Sequence, residues 1–328
     1  MAKKTVLFNY FEANLIPVIP EMTDEEAIAA HGTAKWDMHE LIELIMLHRH
    51  TFPLAVAIGD GHCDFELDSC SHDTTANIYG FQLSRLGNYN IPSIKRLGGI
   101  PENIDLDDDE FIGYFNSFLY DASFQSFMIQ SNKYGLSIKQ IEHYLTLLRF
   151  AHNNQMSVTE TYPCKVSLAL IADPAKFQRA MNARYYRQIA IRSSNVIEDA
   201  ALSNENSTLS DVRRSLLRLT GVNIKLEVSV GSGNPTASLN ENELRSILHQ
   251  FGELPETERP KIEVTIKEDD ESNVEVINLV EPRLCDTIRV EMEPRKSIGH
   301  EFLYTEMKKL YLDNRRSDIA RILGDFTP

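Results

Sequence analysis

The segment GDGHCDFELDSCSHD, residues 59–73, gathers two histidines and two cysteines, a set of side chains that can bind zinc. The four candidate ligands are His62, Cys63, Cys70 and His72. Adjacent His62 and Cys63 would point to opposite faces of a strand, and the turn lacks the glycine or proline of a zinc knuckle. A metal-free hairpin with Cys63 and Phe65 facing the core explains the segment better. We therefore predict no metal and no other cofactor.

Three further motifs are incomplete versions of known sites. HELIE, residues 39–43, has glutamate where a zinc-protease helix needs its second histidine. DLDDDE, residues 105–110, has glutamate where a calcium loop needs glycine. GSGNP, residues 231–235, lacks the lysine that ends a phosphate-binding loop. No serine stands in a G-x-S-x-G context, so the sequence predicts no catalytic residue.

Composition limits the classes of protein to which the chain can belong. With 328 residues it can bury a core without disulfides or metal, and its four cysteines are too few and too scattered for a disulfide lattice. The N-terminus lacks a signal peptide's basic start and apolar run, and no stretch reaches 18 apolar residues. We therefore expect a cytoplasmic protein. The net charge of −15 argues against nucleic-acid binding over the whole surface.

The charge is unevenly distributed along the chain. Residues 1–150 hold 10 Lys and Arg against 21 Asp and Glu (10 − 21 = −11), whereas residues 176–225 hold 9 against 4 (9 − 4 = +5). Arginine supplies forked donors that suit phosphate oxygens, so this segment is a candidate DNA-binding surface. Its candidate phosphate-binding residues are Lys176, Arg179, Arg184, Arg187, Arg192, Arg213, Arg214 and Arg218. The alternative is a solvated or interdomain face that balances the acidic first half.

Hydrophobic periodicity predicts two α+β domains, residues 1–152 and 160–328. The first domain has a strand in KKTVLFNYF, a helix over residues 36–50, and strands in PLAVAIG, CDFEL and ANIYGFQL. It ends with a helix in LDDDEFIGYFNSFLY, a strand in FQSFMIQ and a helix in SIKQIEHYLTLLRFAH. The helical spacing of four apolar residues supports the LDDDEFIGYFNSFLY helix, namely Phe111, Phe115, Phe118 and Leu119.

The second domain is predicted to begin with a β-α-β unit made of KVSLALIA, the helix DPAKFQRAMNA and RYYRQIAIR. Asp173 as a cap and Pro174 in the first turn support the helix. TLSDVRRSLLRLTG is a further helix, and VNIKLEVSV is a strand with Lys225 on its outer face. The second domain thus repeats a strand followed by a helix. A hairpin of KIEVTIK and NVEVINLV and one long helix over residues 297–323 complete the domain. Glu263 lies on the exposed face of the first hairpin strand.

This element order, with several short phrases, resembles the RexA-like phage-exclusion proteins over nearly the whole chain. The phrases are YGFQLSRLGN, FQSFMIQSNKYGLS, YPCKVSLALI, YRQIAIRS, LLRLTGVNIKLEVSV and LYTEMKKLYLDNRRSDI. FMIQSNKYGLS is also similar to the KwaB group of the Kiwa antiphage system. The resemblance implies a cytoplasmic homodimer that binds double-stranded DNA without reading its sequence and reports infection to a membrane partner. It also adds Arg315 and Arg316, in the closing helix, to the candidate DNA-binding residues.

Three functions are thus open at the level of sequence. The first is an antiphage-defence protein that contacts the duplex backbone through arginines of the second domain. The second is an interaction subunit of a defence operon, whose arginines form an interdomain or dimer seam. The third is a metal-dependent nuclease, with carboxylates such as Glu263 that converge only in three dimensions.

Overall fold

The computed structural model describes residues 2–48, 52–193, 224–231, 236–253, 261–269, 274–279, 283–294 and 297–324. The chain divides into two compact units: unit 1, which comprises Met1–Ile171 and Cys285–Pro328, and unit 2, which comprises Ala172–Leu284. Both are α+β, so the predicted fold class is confirmed. No helix in the described ranges combines the length and apolar character needed to cross a membrane.

The strands and helices are numbered here in chain order. The strands are β1 (Ala2–Pro17), β2 (Ala34–Lys35), β3 (Val56–Ile58), β4 (Gly61–Phe65), β5 (Ser71–Asp73), β6 (Ile78–Gly87), β7 (Ile112–Asp121), β8 (Ser126–Ser131), β9 (Cys164–Leu170), β10 (Tyr185–Ser193), β11 (Ile224–Ser229), β12 (Lys261–Lys267), β13 (Glu275–Asn278) and β14 (Cys285–Met292). The helices are α1 (Asp24–His31), α2 (His39–Leu47), α3 (Ile138–Met156), α4 (Pro174–Asn182), α5 (Glu241–Glu253), α6 (His300–Leu310) and α7 (Arg316–Leu323). A short 3₁₀ turn covers Leu67–Ser69, and a π-helical turn, Tyr311–Arg315, joins α6 to α7.

Unit 1 is built on an antiparallel sheet in the order β14-β1-β8-β7-β6-β4-β3, with β2 and β9 also paired to β1, and β5 to β6. The long β1 organises the sheet. Its residues 2–9 pair with β14 and its residues 11–17 with β9, so these two strands follow one another along the same edge. Its other edge pairs with β8. Unit 1 therefore needs both the first half of the chain and β14.

The boundary predicted at residues 152–160 differs from this division. Strand β9 belongs to the sheet of unit 1, and the chain leaves that unit only after Ile171. The long C-terminal helix was correctly predicted, but it belongs to unit 1 and not to the second half of the chain. Sequence pattern indicates that a segment is a strand, but not which distant strand it will pair with.

The helix predicted in LDDDEFIGYFNSFLY is wrong, because its second half is strand β7. Residues 116–121 of β7 are buried on both faces of the sheet, between β6 and β8. A strand that is covered on both sides is a continuous apolar run, and such a run cannot be told from a buried helix by periodicity alone. The two-sided burial also explains why Phe118 and Leu119, which are adjacent, are both fully buried.

Helices cover both faces of this sheet. On one face, α2 and α3 pack against aromatic side chains of β6, β7 and β8, among them Phe81, Phe118 and Phe127. Helix α3 was predicted, and it begins with a capping box in which Ser137 and Gln140 bind each other's backbone amides. On the other face α6 packs against β7, and its side chains Leu303 and Met307 are buried.

Unit 2 is a smaller antiparallel sheet in the order β11-β10-β12-β13. Helices α4 and α5 pack on one face, over a core that includes Tyr186, Leu248, Val264 and Ile277. Helix α4 has Asp173 as its cap and Pro174 in its first turn, as predicted. The predicted β-α-β unit is corrected, however, because β9 lies in the sheet of unit 1 and β10 in that of unit 2.

Candidate nucleic-acid interface

Lys176 and Arg179 lie on α4 and are held by polar groups of unit 2. Lys176 is only 6 % exposed, and its Nζ donates to the carbonyl of Arg283 at 2.7 Å. Arg179 pairs with Glu275 and donates from Nε to Glu268 at 2.5 Å. Burial acts to lower the pKa of Arg179, but the hydrogen bond to Glu268 and the charge of Glu275 raise it overall. Lys176 and Arg179, which were predicted to bind phosphate, are therefore engaged in contacts within unit 2.

Charge balance within unit 2 explains this pairing. The basic segment 176–225 belongs to the same unit as residues 241–281, which hold 4 Lys and Arg against 12 Asp and Glu (4 − 12 = −8). Arg179 is thus paired with acidic residues, but not with those that the alternative of a face balancing the acidic first half invoked. Its carboxylates come from unit 2 itself, not from the acidic first half of the chain.

Arg315 and Arg316 form ion pairs inside unit 1. Arg315 binds both carboxylate oxygens of Asp286 at 2.7 and 2.8 Å, and Arg316 donates to Asp121 at 2.9 Å. The hydrogen bond to Asp286 raises the pKa of Arg315 above its usual range, although burial acts to lower it. Arg316 also donates to the carbonyl of Ala76 at 2.7 Å. These arginines therefore anchor the C-terminal helices within unit 1.

Arg184 and Arg187 lie at the start of β10 and are more accessible. Arg184 is exposed, and its guanidinium lies 5.2 Å from the centre of the Tyr185 ring. Arg187 is half-buried and donates to the carbonyl of Ala237 at 2.8 Å. Both can present positive charge near one end of the unit 2 sheet, with Arg187 oriented by its backbone contact.

Arg192 lies near the other end of β10, where the strand register aligns it with two more basic residues. Lys225 on β11 is its partner on one side, and Lys261 on β12 is its partner on the other. Three basic residues therefore lie side by side across three neighbouring strands, and we call this set the basic row. Two register positions along the strands, on the same face of the sheet, Ala190 lies between Glu227 and Glu263, which form an acidic boundary to the row.

Two members of this row, Lys225 and Lys261, were not among the predicted DNA-binding residues. Lys225 was predicted to lie on the outer face of its strand, and Lys261 was predicted only to lie in the first strand of the hairpin. They lie beside Arg192 because their strands pair with β10, although they are 33 and 69 residues away from Arg192 in the sequence. The alternation of residues within one strand does not indicate which strand it pairs with. The remaining predicted contacts, Arg213, Arg214 and Arg218, lie outside the described residues, as does most of the GSGNP segment.

The residues of the cysteine and histidine cluster have separate structural environments. Cys63 is buried in β4, and burial raises the pKa of its thiol. His72 approaches Glu43 of α2 at 3.3 Å and stacks on Tyr79, whose hydroxyl donates to Glu43 at 2.8 Å. Among the described residues, no three His, Cys, Asp or Glu side chains form a group that could hold a metal ion. Glu43 thus joins α2 to β5 and β6.

Comparison with known proteins identifies a family but no activity. No curated protein matches the chain with significance. A family model described as a family of unknown function, DUF6731, matches residues 1–319 of the 328-residue chain. This match covers both units, including β14 and most of the C-terminal helices. The chain therefore belongs to the DUF6731 family of unknown function.

Proposed function

We propose that this chain is an antiphage-defence protein that binds double-stranded DNA without sequence specificity and acts through a partner. The resemblance to the RexA-like proteins motivates the biological role. The observation that carries the DNA-binding claim is the basic row Lys225, Arg192 and Lys261. Cytoplasmic location, self-association and a membrane-protein partner belong to the same proposal and are inherited from that resemblance.

The dimensions of the row suit a phosphate backbone. Neighbouring strands are about 4.8 Å apart, so three aligned residues span about 10 Å. One strand of duplex DNA presents a phosphate about every 3.4 Å along the helix axis. The row is therefore wide enough to neutralise two or three phosphates. Arg184 and Arg187, at the other end of β10, offer further contacts.

The net charge of −15 requires this contact to be local. The ion pairs of Lys176, Arg179, Arg315 and Arg316 remove four of the ten predicted sites from the proposed interface. The proposed interface is thus smaller than the sequence alone suggested, and its affinity will depend strongly on salt.

The decisive experiment is a salt titration of binding to random-sequence duplex, followed by fluorescence anisotropy. Three neutralised phosphates give a slope of log affinity against log salt of about −2.7, and Lys261→Gln should reduce its magnitude by about 0.9. The matched control is Lys139→Gln, a lysine of α3 whose side chain is 90 % exposed. It should leave the slope unchanged.

A slope that is the same in wild type and in the combined Lys225→Gln, Arg192→Gln and Lys261→Gln variant would exclude the basic row as the DNA site. The ion pairs of Arg179 favour a second candidate, an interaction subunit that does not bind DNA. That candidate predicts no salt-dependent binding and no excess absorbance at 260 nm in the purified protein. The proposed function predicts salt-dependent binding and an excess absorbance at 260 nm.

A further inference from the structure

A cavity of about 630 Å³ lies in unit 1, at the end of the sheet where β6 leads into the following loop. Its volume is within the range of sites for small molecules. Six of the residues around it matter here: Asp60, Arg85, Tyr89, Tyr114, Lys133 and Tyr134. They combine three aromatic rings with two cations, in a part of the protein that the proposed DNA interface does not use.

Two tyrosines of this cavity are unusually exposed, while Tyr114 is partly buried. Tyr89 is 74 % exposed and Tyr134 is 60 % exposed, the two highest values among the tyrosines. The core tyrosines Tyr79 and Tyr120, by contrast, are fully buried. Tyr114 and Tyr134 have ring centres 5.5 Å apart at an angle of 31°, so they form one aromatic wall. Exposed rings grouped in a cavity provide a surface on which a planar ring can stack.

The two cations of the cavity favour a negatively charged ligand. Lys133 Nζ is 5.9 Å from the centre of the Tyr134 ring, and no carboxylate in the described part of the chain pairs with it. Arg85 is 3.7 Å from Asp60, a long contact between partly exposed side chains. These positive charges disfavour a cationic ligand and favour an anionic group beside the aromatic wall. Asp60 can accept hydrogen bonds from hydroxyl or amino groups of the same ligand.

The turn that carries Lys133 and Tyr134 is held in place by hydrogen bonds between two asparagine side chains and the backbone. Asn116 of β7 accepts from the amide of Leu136 at 2.8 Å and donates to the carbonyl of Gln130 at 2.9 Å. Asn132 donates to the carbonyl of Phe115 at 2.8 Å. A Cβ atom at Gly135 would collide with the side chain of Asn116, so a larger residue there would displace this asparagine from its hydrogen bonds. The two side chains are therefore presented by a preorganised loop, which lowers the cost of binding.

From these contacts we propose that the cavity binds a nucleotide, with the base stacked on the tyrosine wall and the phosphate near Lys133 and Arg85. A nucleotide combines the planar ring and the anionic group that the cavity can accommodate. Its source is either a free nucleotide or a nucleotide of a single strand, and both present the same chemistry. This proposal is independent of DNA binding by unit 2.

Calorimetric titration of the full chain tests this proposal with defined probes. The nucleoside 5′-triphosphates should bind at least tenfold more tightly than adenosine, which lacks phosphate, and than tripolyphosphate, which lacks a base. A five-nucleotide single strand that binds more tightly than any free nucleotide would identify the strand as the source. The reverse order would identify the free nucleotide.

Variants connect the binding to the cavity. Tyr134→Ala and Lys133→Ala should each weaken nucleotide binding about tenfold or more, whereas Tyr134→Phe should retain stacking and affinity. The matched control Lys139→Ala should have no effect, and neither should Lys261→Gln in unit 2. Urea unfolding of each variant reports whether it is folded. The proposal is overturned if no nucleotide binds, if tripolyphosphate binds as tightly as the nucleotides, or if folded Tyr134→Ala and Lys133→Ala both bind like wild type.

Discussion

Asp121 is a fully buried carboxylate that accepts hydrogen bonds from residues at the two ends of the π-helical turn. Tyr311 donates to it at 2.9 Å, and Arg316 donates to the same oxygen at 2.9 Å. These two donors are five residues apart, the spacing that a π-helical turn brings to one side of a helix. Burial and the charge of Asp121 raise the pKa of Tyr311, so its phenol remains a donor.

Asp121→Asn should therefore lower the free energy of unfolding by about 3 kcal/mol, because it removes the buried charge that pairs with Arg316. Urea denaturation at neutral pH measures this change. Asp318→Asn is the control, since Asp318 pairs with Arg315 and Arg321 at the surface, where the expected loss is under about 1 kcal/mol. Equal losses in the two variants would contradict a special role for Asp121.

Helix α6 and strand β6 approach closely at one glycine. A Cβ atom at Gly80 would overlap the ring of Tyr304, so the absence of a side chain at this position sets how closely α6 can pack on the sheet. Burial raises the pKa of Tyr304, in agreement with a ring inserted between these elements. The sequence gives no sign of this contact, which joins residues 224 positions apart.

Gly80→Ala should cost about 1–3 kcal/mol of stability, because the ring of Tyr304 must move out of its packed position. The same substitution in a Tyr304→Ala background should cost clearly less, which a double-mutant cycle measures. Gly113→Ala on β7 is the matched control, since its nearest neighbour would be at an ordinary 3.4 Å. Additive costs at Gly80 and Tyr304 would show that the two positions do not interact.

At the scale of the whole molecule, unit 1 is discontinuous in sequence. The amide of Ile171 donates to the carbonyl of Tyr10, and Cys285 pairs with Asn9, so the chain leaves unit 1 and re-enters it at adjacent positions of β1. Unit 2 is thus an insertion between β9 and β14, two strands that pair with successive stretches of β1. Strand β14 also supplies Asp286, which accepts from Tyr10 at 2.8 Å.

Replacement of residues 172–284 by a short Gly-Ser linker should therefore leave a unit 1 that unfolds cooperatively in urea, because the linker joins neighbouring ends. A chain cut after Ile171 is the contrast. It loses β14 and the C-terminal helices, which removes both Tyr311 and Arg316 from Asp121 and leaves residues 2–9 of β1 without a partner on one edge. We expect it to aggregate or to unfold without cooperativity. The opposite result for the two chains would contradict this division of the molecule.

Elements whose signals are local could be predicted from the amino-acid sequence. Helix α3 was predicted from its hydrophobic pattern, α4 from Asp173 and Pro174, and the strands of unit 2 from alternating apolar residues. These signals act within a few residues, so they can be read directly from the chain. The α+β class followed from them.

Only the tertiary structure decided which elements meet. It made β7 a strand because both faces are covered, and it moved β9 and the C-terminal helices into unit 1. It also paired Arg316 with an aspartate 195 residues away, while the register of three strands aligned Arg192 with Lys225 and Lys261. A side chain's charge is fixed by its type, but its availability to a ligand depends on partners that only long-range packing brings near.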